Sequence, residues 1–454
     1  MNAILNKAKI EYLLKHLSHG IELNDIKKLF IFTTSKELSS ELKNKIVFTL
    51  SAQNLNFNNI LWVEDIPILF PAHNQQKLYS IDQNNNLIFH HDLLKSAFYL
   101  LSGYQELNPE YKDRFGRFPY ELSIQKKLGI IKKPVVNYYF DFIIKGLEEF
   151  CKIHNLEFKR KQPFRPFAFF LSHDVDKIDT YNIYDFIYYL KVLFGLSKKK
   201  IPLSKKIRKV AEYGFHYLFT HKNPNWDFDF LLSLEKKFDF TSTFYFLPKD
   251  LIHQDAYYSF HEKRVQNLFN QLKAESCEIG IHGTSRSATQ QKFLQSNIIE
   301  LEKAASVKVS GIRQHRLIFD INITPYIHEE AGMAYDTSLA FAEHEGFRNS
   351  YCLPFKLYNF KEDRPFHTWE IPLHVMDATL FEYRKLTMNN AFNSVQEILN
   401  EVTKFNGVFS LLWHNGFFDE IVHPGIKTFY YNVLKSIHKR NGRSINGKIC
   451  ESKI

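Results

Sequence analysis

Ala168-Phe169-Phe170-Leu171-Ser172-His173-Asp174-Val175-Asp176 is the stretch on which the reading of this chain turns. Its first four residues form an uninterrupted apolar run, as expected of a strand buried on both faces. The run ends in two carboxylates separated by one residue. Side chains alternate along extended backbone, so Asp174 and Asp176 face the same side. Two carboxylates at a strand end can divide labour, one holding a cation while the other takes a proton from water. A lone D-x-D is more often a cap or a loop ion pair, so the surrounding sequence has to decide.

Downstream the same arrangement recurs. Thr241 to Leu247 is strand-like and is followed by Pro248. Cys277 to Ile281 ends at His282-Gly283-Thr284-Ser285, and Gly311-Ile312 leads into Arg313-Gln314-His315. Trp369 to Met376 ends at Asp377, and Val408 to Trp413 ends at His414-Asn415. Amphipathic helical patterns lie between, at Phe228 to Phe238, Glu262 to Ala274, Gln291 to Ala305 and Ala391 to Phe405. Strand and helix in alternation predict parallel pairing through crossover helices. In a β/α barrel the strand ends form one open face, where a site is built from several strands. Each of these residues alone reads equally well as structural. Several in order, each at a strand end, favour a site.

Upstream, Glu157-Phe158-Lys159-Arg160-Lys161-Gln162-Pro163-Phe164-Arg165-Pro166 is charged and punctuated by proline, as linkers are. The 454 residues exceed one ordinary core and predict two domains. Their expected limits are 1–160, a smaller mixed α/β domain, and 165–445, the barrel. In the first, Leu29 to Phe32 and Ile60 to Val63 read as strands. Asp92 to Leu101 reads as a helix with Asp92 at its N-cap.

Hydrophobic residues make up 44% of the chain, enough for real cores and too many for disorder. The 43 Phe and 24 Tyr mostly fill those cores, with some Tyr and Trp available to line a sugar site. Met1 to Lys7 lacks a basic start and apolar block, which predicts no leader peptide, and no run is long enough to span a membrane. Cys151, Cys277, Cys352 and Cys450 lack metal-type spacing and predict reduced thiols in a cytoplasmic protein. The net charge of +10 fits attraction to anionic glycan or lipid, or simply a well-solvated surface. No nucleic-acid motif accompanies it, so no nucleic-acid partner is expected.

Residues 181–222 interrupt the barrel rhythm. Tyr184 to Leu196 is apolar and aromatic, and Lys198-Lys199-Lys200, Lys205-Lys206 and Arg208-Lys209 follow it. Residues 184–209 could seat on an anionic bilayer at the inner membrane, or pack on the barrel beneath a solvated basic loop.

Residues 165 to 440 resemble the NodB-homology polysaccharide deacetylases, carbohydrate esterase family four, in the order of their motifs. The N-terminal region resembles an uncharacterised domain found before some bacterial deacetylases. The resemblance implies a distorted (β/α) barrel, a divalent metal (commonly zinc) and removal of acetyl groups from a glycan or lipid-linked sugar. It assigns Asp174 as catalytic base and His414 as general acid. Arg313 would steady the base and Asp377 would orient the His. Asp176 and His282 match metal ligands, with Val175 standing where the commonest pattern has the ligand Asp. The family's second histidine, or a Ser/Thr variant, falls one helical turn after the first. Here that position is Arg286, which cannot ligate while charged. A catalytic zinc normally keeps three protein ligands. The third would come from His315, from His173, or from Ser287 through water. Two other readings stay open: a glycan-binding pseudoenzyme with a degraded metal site, favoured by Arg286, and a hydrolase of another non-peptide C–N bond.

Overall fold

The computed structural model describes the chain except residues 1–3, 24, 35–41, 73–75, 181–182, 197–201, 221–222, 251–254, 421 and 450–454. Cys450 and Lys198-Lys199-Lys200 therefore lie outside the described residues.

The parallel strands expected after residue 165 are present, together with one at Tyr335–Asp336 that was not expected. We number them β1 (Ala168–Val175), β2 (Ser242–Phe246), β3 (Glu278–Gly283), β4 (Gly311–Gln314), β5 (Tyr335–Asp336), β6 (Trp369–Glu370), β7 (Val375–Met376) and β8 (Val408–Leu412). They lie in the order β6-β5-β4-β3-β2-β1-β8-β7, and Arg443–Ser444 adds to β1. Every pairing is parallel. The helices Phe228–Lys237, Lys263–Ala274, Gln291–Ala305 and Met388–Lys404 are the crossovers that parallel pairing requires.

All eight residues of β1 are buried, and the reason is two-sided packing. Ala168 and Phe170 join one hydrophobic cluster, together with Tyr245 and Tyr335. Phe169, Leu171 and Val175 join the other, beneath the helices. Full burial of each Phe or Leu contributes roughly 1.5–3 kcal/mol. Extending this alternation puts Ser172 and Asp174 on the first face and His173 on the second.

Trp369 to Met376, expected as one strand, is two. Glu370 ends β6 at one edge of the sheet and Val375 begins β7 at the other edge. A span of four residues reaches at most about 3.3–3.6 Å per residue. The two edges are therefore drawn together across it, and the sheet curls into a distorted barrel. Ile371 N donates to Asp336 O at 2.9 Å on the β5 side and Ser410 N to His374 Nδ1 at 3.2 Å on the β8 side, so the seam is laced on both sides.

Before the barrel, Phe30–Thr33, Ile46–Thr49 and Leu87–Phe89 pair in parallel, with Tyr79–Ile81 antiparallel at the edge. The strand at Leu61–Val63 belongs to a separate hairpin with Ile66–Ile68. Asp92 caps Leu93–Leu101, accepting from Lys95 N at 2.8 Å. A long amphipathic helix, Val135–Ile153, packs on this sheet and that hairpin.

The region is bound firmly to the barrel. Residues of both share one hydrophobic cluster. Arg348 forms a buried bidentate pair with Glu106, at 2.6 and 2.9 Å. The stretch expected to be a linker folds back instead: Ile21 and Arg160 form an antiparallel bridge, and Lys161 N donates to Gly20 O at 2.9 Å. Cys151, Cys277 and Cys352 are free thiols.

Candidate functional site

The carboxyl ends of the barrel strands carry the expected side chains, and most of them converge. Asp174 lies in β1 and Asp176 just past it. His282 lies in β3, Arg313 in the adjacent β4 and His315 just past β4. His282 and Arg313 are register partners.

Asp176, His282 and His315 present ligand atoms that all lie within 4.8 Å of one another. His282 Nε2 is 3.2 Å from Asp176 Oδ1, and His315 Nε2 is 3.7 Å from Asp176 Oδ2. His282 Nε2 and Asp176 Oδ1 are buried without a hydrogen-bond partner. The two atoms face the same small space, as two ligands of one cation would. Buried polar atoms normally find partners, so this orphaned pair asks for one.

The outward nitrogens are fixed. His282 Nδ1 donates to Arg313 O at 2.8 Å, leaving the Nε2 lone pair turned inward. His315 Nδ1 meets Asp255 Oδ1 at 2.6 Å, and Asp255 is itself held by Ser285 N and Oγ at 3.1 and 3.0 Å. Carbonyl and carboxylate partners of this kind orient ligating histidines. One carboxylate and two imidazoles form a donor set suited to zinc. The residues present fit a divalent cation.

Among the candidates for a third ligand, His315 is the one that the structure brings to the cluster. Ser287 is turned away, its hydroxyl donating to Thr284 O at 2.9 Å and to Gln314 Oε1 at 3.3 Å. His173 lies on the opposite face of β1, where its nitrogens meet Trp413 O and Glu235 Oε1 at 2.8 and 2.7 Å. Arg286 is engaged by Asp250 at 2.8 Å and stacks on Phe293.

Two more pairs border the cluster. Arg313 Nη1 donates to Asp174 Oδ1 at 3.1 Å, which leaves Asp174 Oδ2 facing His282 Nε2 at 3.5 Å. The fully buried guanidinium also bonds Ser172 Oγ and Thr337 Oγ1 and lies over the Tyr245 ring. His414 Nδ1 meets Asp377 Oδ1 at 2.7 Å, and its backbone N–H donates to Asp377 Oδ2 at 2.6 Å. His414 Nε2 is 3.9 Å from Asp176 Oδ2.

The electrostatics follow this geometry. Burial opposes the charged form of His414, but Asp377, and then Asp176 and Asp174, outweigh it and push the imidazole up to about 10. His282 is also raised: burial opposes its charge, and Asp174 and Asp176 prevail. Burial would raise Asp176, yet His315, His282 and His414 together hold it well below the usual carboxylate range. The centre thus favours an ionised Asp176 beside a charged His414.

Four of these residues reach a cavity of about 680 Å³ at the barrel mouth. Asp174, Asp176, His315 and His414 form its floor. Arg114, Phe115 and Arg117, from the N-terminal region, also line it. Neither that contribution nor Asp255 was foreseen from sequence. A compact Asp-Arg-Phe-Gly-Arg turn at 113–117 was the available signal for the first; Asp255 had none.

The fold and the site together define a distorted β/α barrel with carboxylates and imidazoles convergent at its mouth. A model of a family of unknown function, DUF7033, matches residues 3–152. No curated protein matches the chain. Solved structures similar to it include a protein of Mycobacterium smegmatis assigned as a polysaccharide deacetylase, at 18% identity, 63% of this chain, 89% of that one and a TM-score of 0.41. The peptidoglycan deacetylase PdaC of Bacillus subtilis matches at 11% identity, over 63% and 89% of the two chains, with a TM-score of 0.28. A carbohydrate esterase family four pseudoenzyme of Bacillus anthracis matches at 9% identity, over 61% and 62%, with a TM-score of 0.29.

Proposed function

We propose that this protein is a metal-dependent hydrolase that removes acetyl groups from an N-acetylated glycan or lipid-linked sugar. The observation that carries the reading is the convergence of Asp176, His282 and His315, the first two with unpartnered buried atoms, between the Asp174–Arg313 and Asp377–His414 pairs.

Asp176, His282 and His315 would hold the cation, with zinc the best match to the donor set. When bound there, a divalent cation polarises an acyl carbonyl and eases the ionisation of water. Asp174 takes the proton of the attacking water at Oδ2, since Oδ1 is occupied by Arg313. His414 protonates the leaving nitrogen or oxygen from Nε2. Asp377 holds Nδ1–H and keeps the ring charged and aimed. Arg313 acts through Asp174, fixing its rotamer so that Oδ2 is left free for the water.

Arg286 favours a second reading, a glycan-binding protein without turnover, because it stands where the family pattern offers another ligand. Acetate release from N-acetylated oligosaccharides by the zinc-loaded chain separates the two. Release abolished by Asp174→Asn supports the enzyme; sugar binding with no acetate release supports the alternative. Release of another product, such as ammonia, would indicate a hydrolase of a different C–N bond.

The proposed division is a unit at residues 1–160 and a barrel at 165–445 with an insert at about 181–222. No helix among the described residues is long and apolar enough to cross a membrane. A cytoplasmic location with peripheral contact at the inner membrane is our proposal. The insert helices Ile183–Leu193 and Leu203–Phe215 support it. Phe194, Leu196, Leu203, Ile207, Leu218 and Phe219 are exposed on or beside them, next to Lys206 and Arg208. Apolar side chains flanked by cations suit an anionic bilayer. Salt-sensitive pelleting with anionic vesicles is expected, and its absence would remove this contact.

A further inference from the structure

We infer that Arg114 and Arg316 form an anion-recognition edge on the candidate active site, so that the glycan it takes carries a phosphate or carboxylate. This inference rests on the hydrolase reading for the identity of the ligand as a glycan, but not for the recognition of its charge.

The edge is built from both parts of the chain. Asp113 opens a tight turn, its Oδ1 accepting from Phe115 N and Arg117 N at 2.9 Å each. Gly116 closes it at φ +80, a conformation that side chains other than glycine's rarely adopt. Arg117 is buried and paired with Asp113 at 2.7 Å. From there its Nη1 donates to Arg316 O at 2.6 Å.

That bond falls on unusual backbone. Arg316 and Leu317 sit at φ 59 and 54, two consecutive left-handed residues immediately after His315. Such residues cost on the order of 1–3 kcal/mol each and persist where surrounding structure over-determines them. The turn from the N-terminal region supplies one such restraint. The result is that Arg316 projects from the barrel loop toward the same cavity as Arg114.

Phe115 gathers the cations. The Arg114, Arg117 and Arg316 guanidinium carbons lie 4.6, 5.1 and 5.3 Å from its ring centre. Arg117 is neutralised by Asp113, but Arg114 and Arg316 are exposed and make no ion pair among the described residues. Two guanidinium groups held near one aromatic ring offer an anion between them favourable contact with both. Guanidinium presents paired donors that match phosphate and carboxylate oxygens. Both side chains line the cavity whose floor holds Asp174, Asp176 and His315. Glu382 also lines it and works against an anion, though no ion pair joins it to either arginine among the described residues. A ligand spanning the cavity would place its acyl group over the floor and its charge at the arginine edge.

The test uses the full chain after chelator treatment, so that neither metal nor turnover enters. N-acetylglucosamine 1-phosphate and methyl N-acetylglucosaminide serve as probes, with binding followed by calorimetry or ligand NMR. The phosphorylated probe is expected to bind at least about tenfold tighter, roughly 1.4 kcal/mol. R114Q and R316Q together should reduce that advantage below about twofold and leave the neutral probe unchanged. Equal affinity for the two probes, an advantage that survives both substitutions, or no binding of the phosphorylated probe at about 10 mM overturns the inference. A chain that discriminates between the probes yet releases no acetate from any substrate keeps the arginine edge and loses the deacetylase reading. One that releases acetate but treats both probes alike does the reverse.

Discussion

His315 and Asp255 stand 2.6 Å apart, the carboxylate held in turn by both donors of Ser285. The contact fixes Nδ1 and turns Nε2 toward Asp176. Partners of this kind typically contribute 10–100-fold to metal affinity. Asp255→Asn is therefore expected to weaken zinc binding by about that factor while leaving the fold intact. Competition against a chromogenic chelator reads it directly. An unchanged affinity would mean that His315 is not a ligand.

The pairing of His414 with Asp377 predicts a different signature. Asp377→Asn removes the charge that keeps the imidazole protonated. General acid–base contributions of this kind are worth about 10²–10⁴-fold. We expect kcat to fall within that range, with zinc content and KM little changed. A substrate bearing a good leaving group should restore much of the loss, since it needs no proton. A variant equally slow on both substrates would show that His414 is not the acid.

The buried pair of Arg348 with Glu106 joins the N-terminal region to the barrel, with the two side chains 1% and 3% exposed. Removing one partner leaves a charge buried without its counter-ion, which typically costs about 3–5 kcal/mol. Glu106→Ala should lower the unfolding free energy by that amount in urea titration. Glu106→Leu with Arg348→Met should recover most of it. A loss below about 1 kcal/mol would show that the two parts do not depend on this contact.

Several buried histidines make stability fall in mild acid. Burial lowers His374 from 6.5 to about 3, and His19 and His91 to about 4. Below 6.5 the unfolded chain takes up protons that these rings refuse in the folded state. Their contribution is therefore complete above pH 6.5 and is lost as pH falls toward 4 and then 3. Each adds a slope of up to about 1.4 kcal/mol per pH unit. Melting temperature should decline between pH 6.5 and 4.5, and less steeply in His374→Asn. His414, raised to about 10, works the other way. Its folded ring is charged throughout while the unfolded ring gains its proton near 6.5, so its contribution becomes complete just below 6.5, partly offsets the loss there, and is flat further into acid. A flat profile would contradict the burial of these rings as neutral groups.

The sequence showed the barrel well because each strand end combines an apolar run with a polar stop. That signal is local, and it located Asp174, Asp176, His282, Arg313, His315, Asp377 and His414. It left the third ligand open among His315, His173 and Ser287, because choosing needs the direction of each side chain. His173 is excluded by one step of strand alternation, and Ser287 by its bonds to Thr284 and Gln314. Periodicity also missed the break inside Trp369 to Met376, where a single segment serves both edges of the sheet. The approach of Phe115 to Arg316, about two hundred residues apart, is a tertiary fact that no local pattern encodes.

Metal content tests the central claim most directly. Purified chain, loaded with zinc and freed of excess, should retain one equivalent by elemental analysis. Asp176→Ala and His282→Ala should each retain almost none, and Asp174→Asn should retain it while releasing no acetate. One equivalent kept in both ligand variants, or none in the unsubstituted chain, would contradict a cation centre at the barrel mouth.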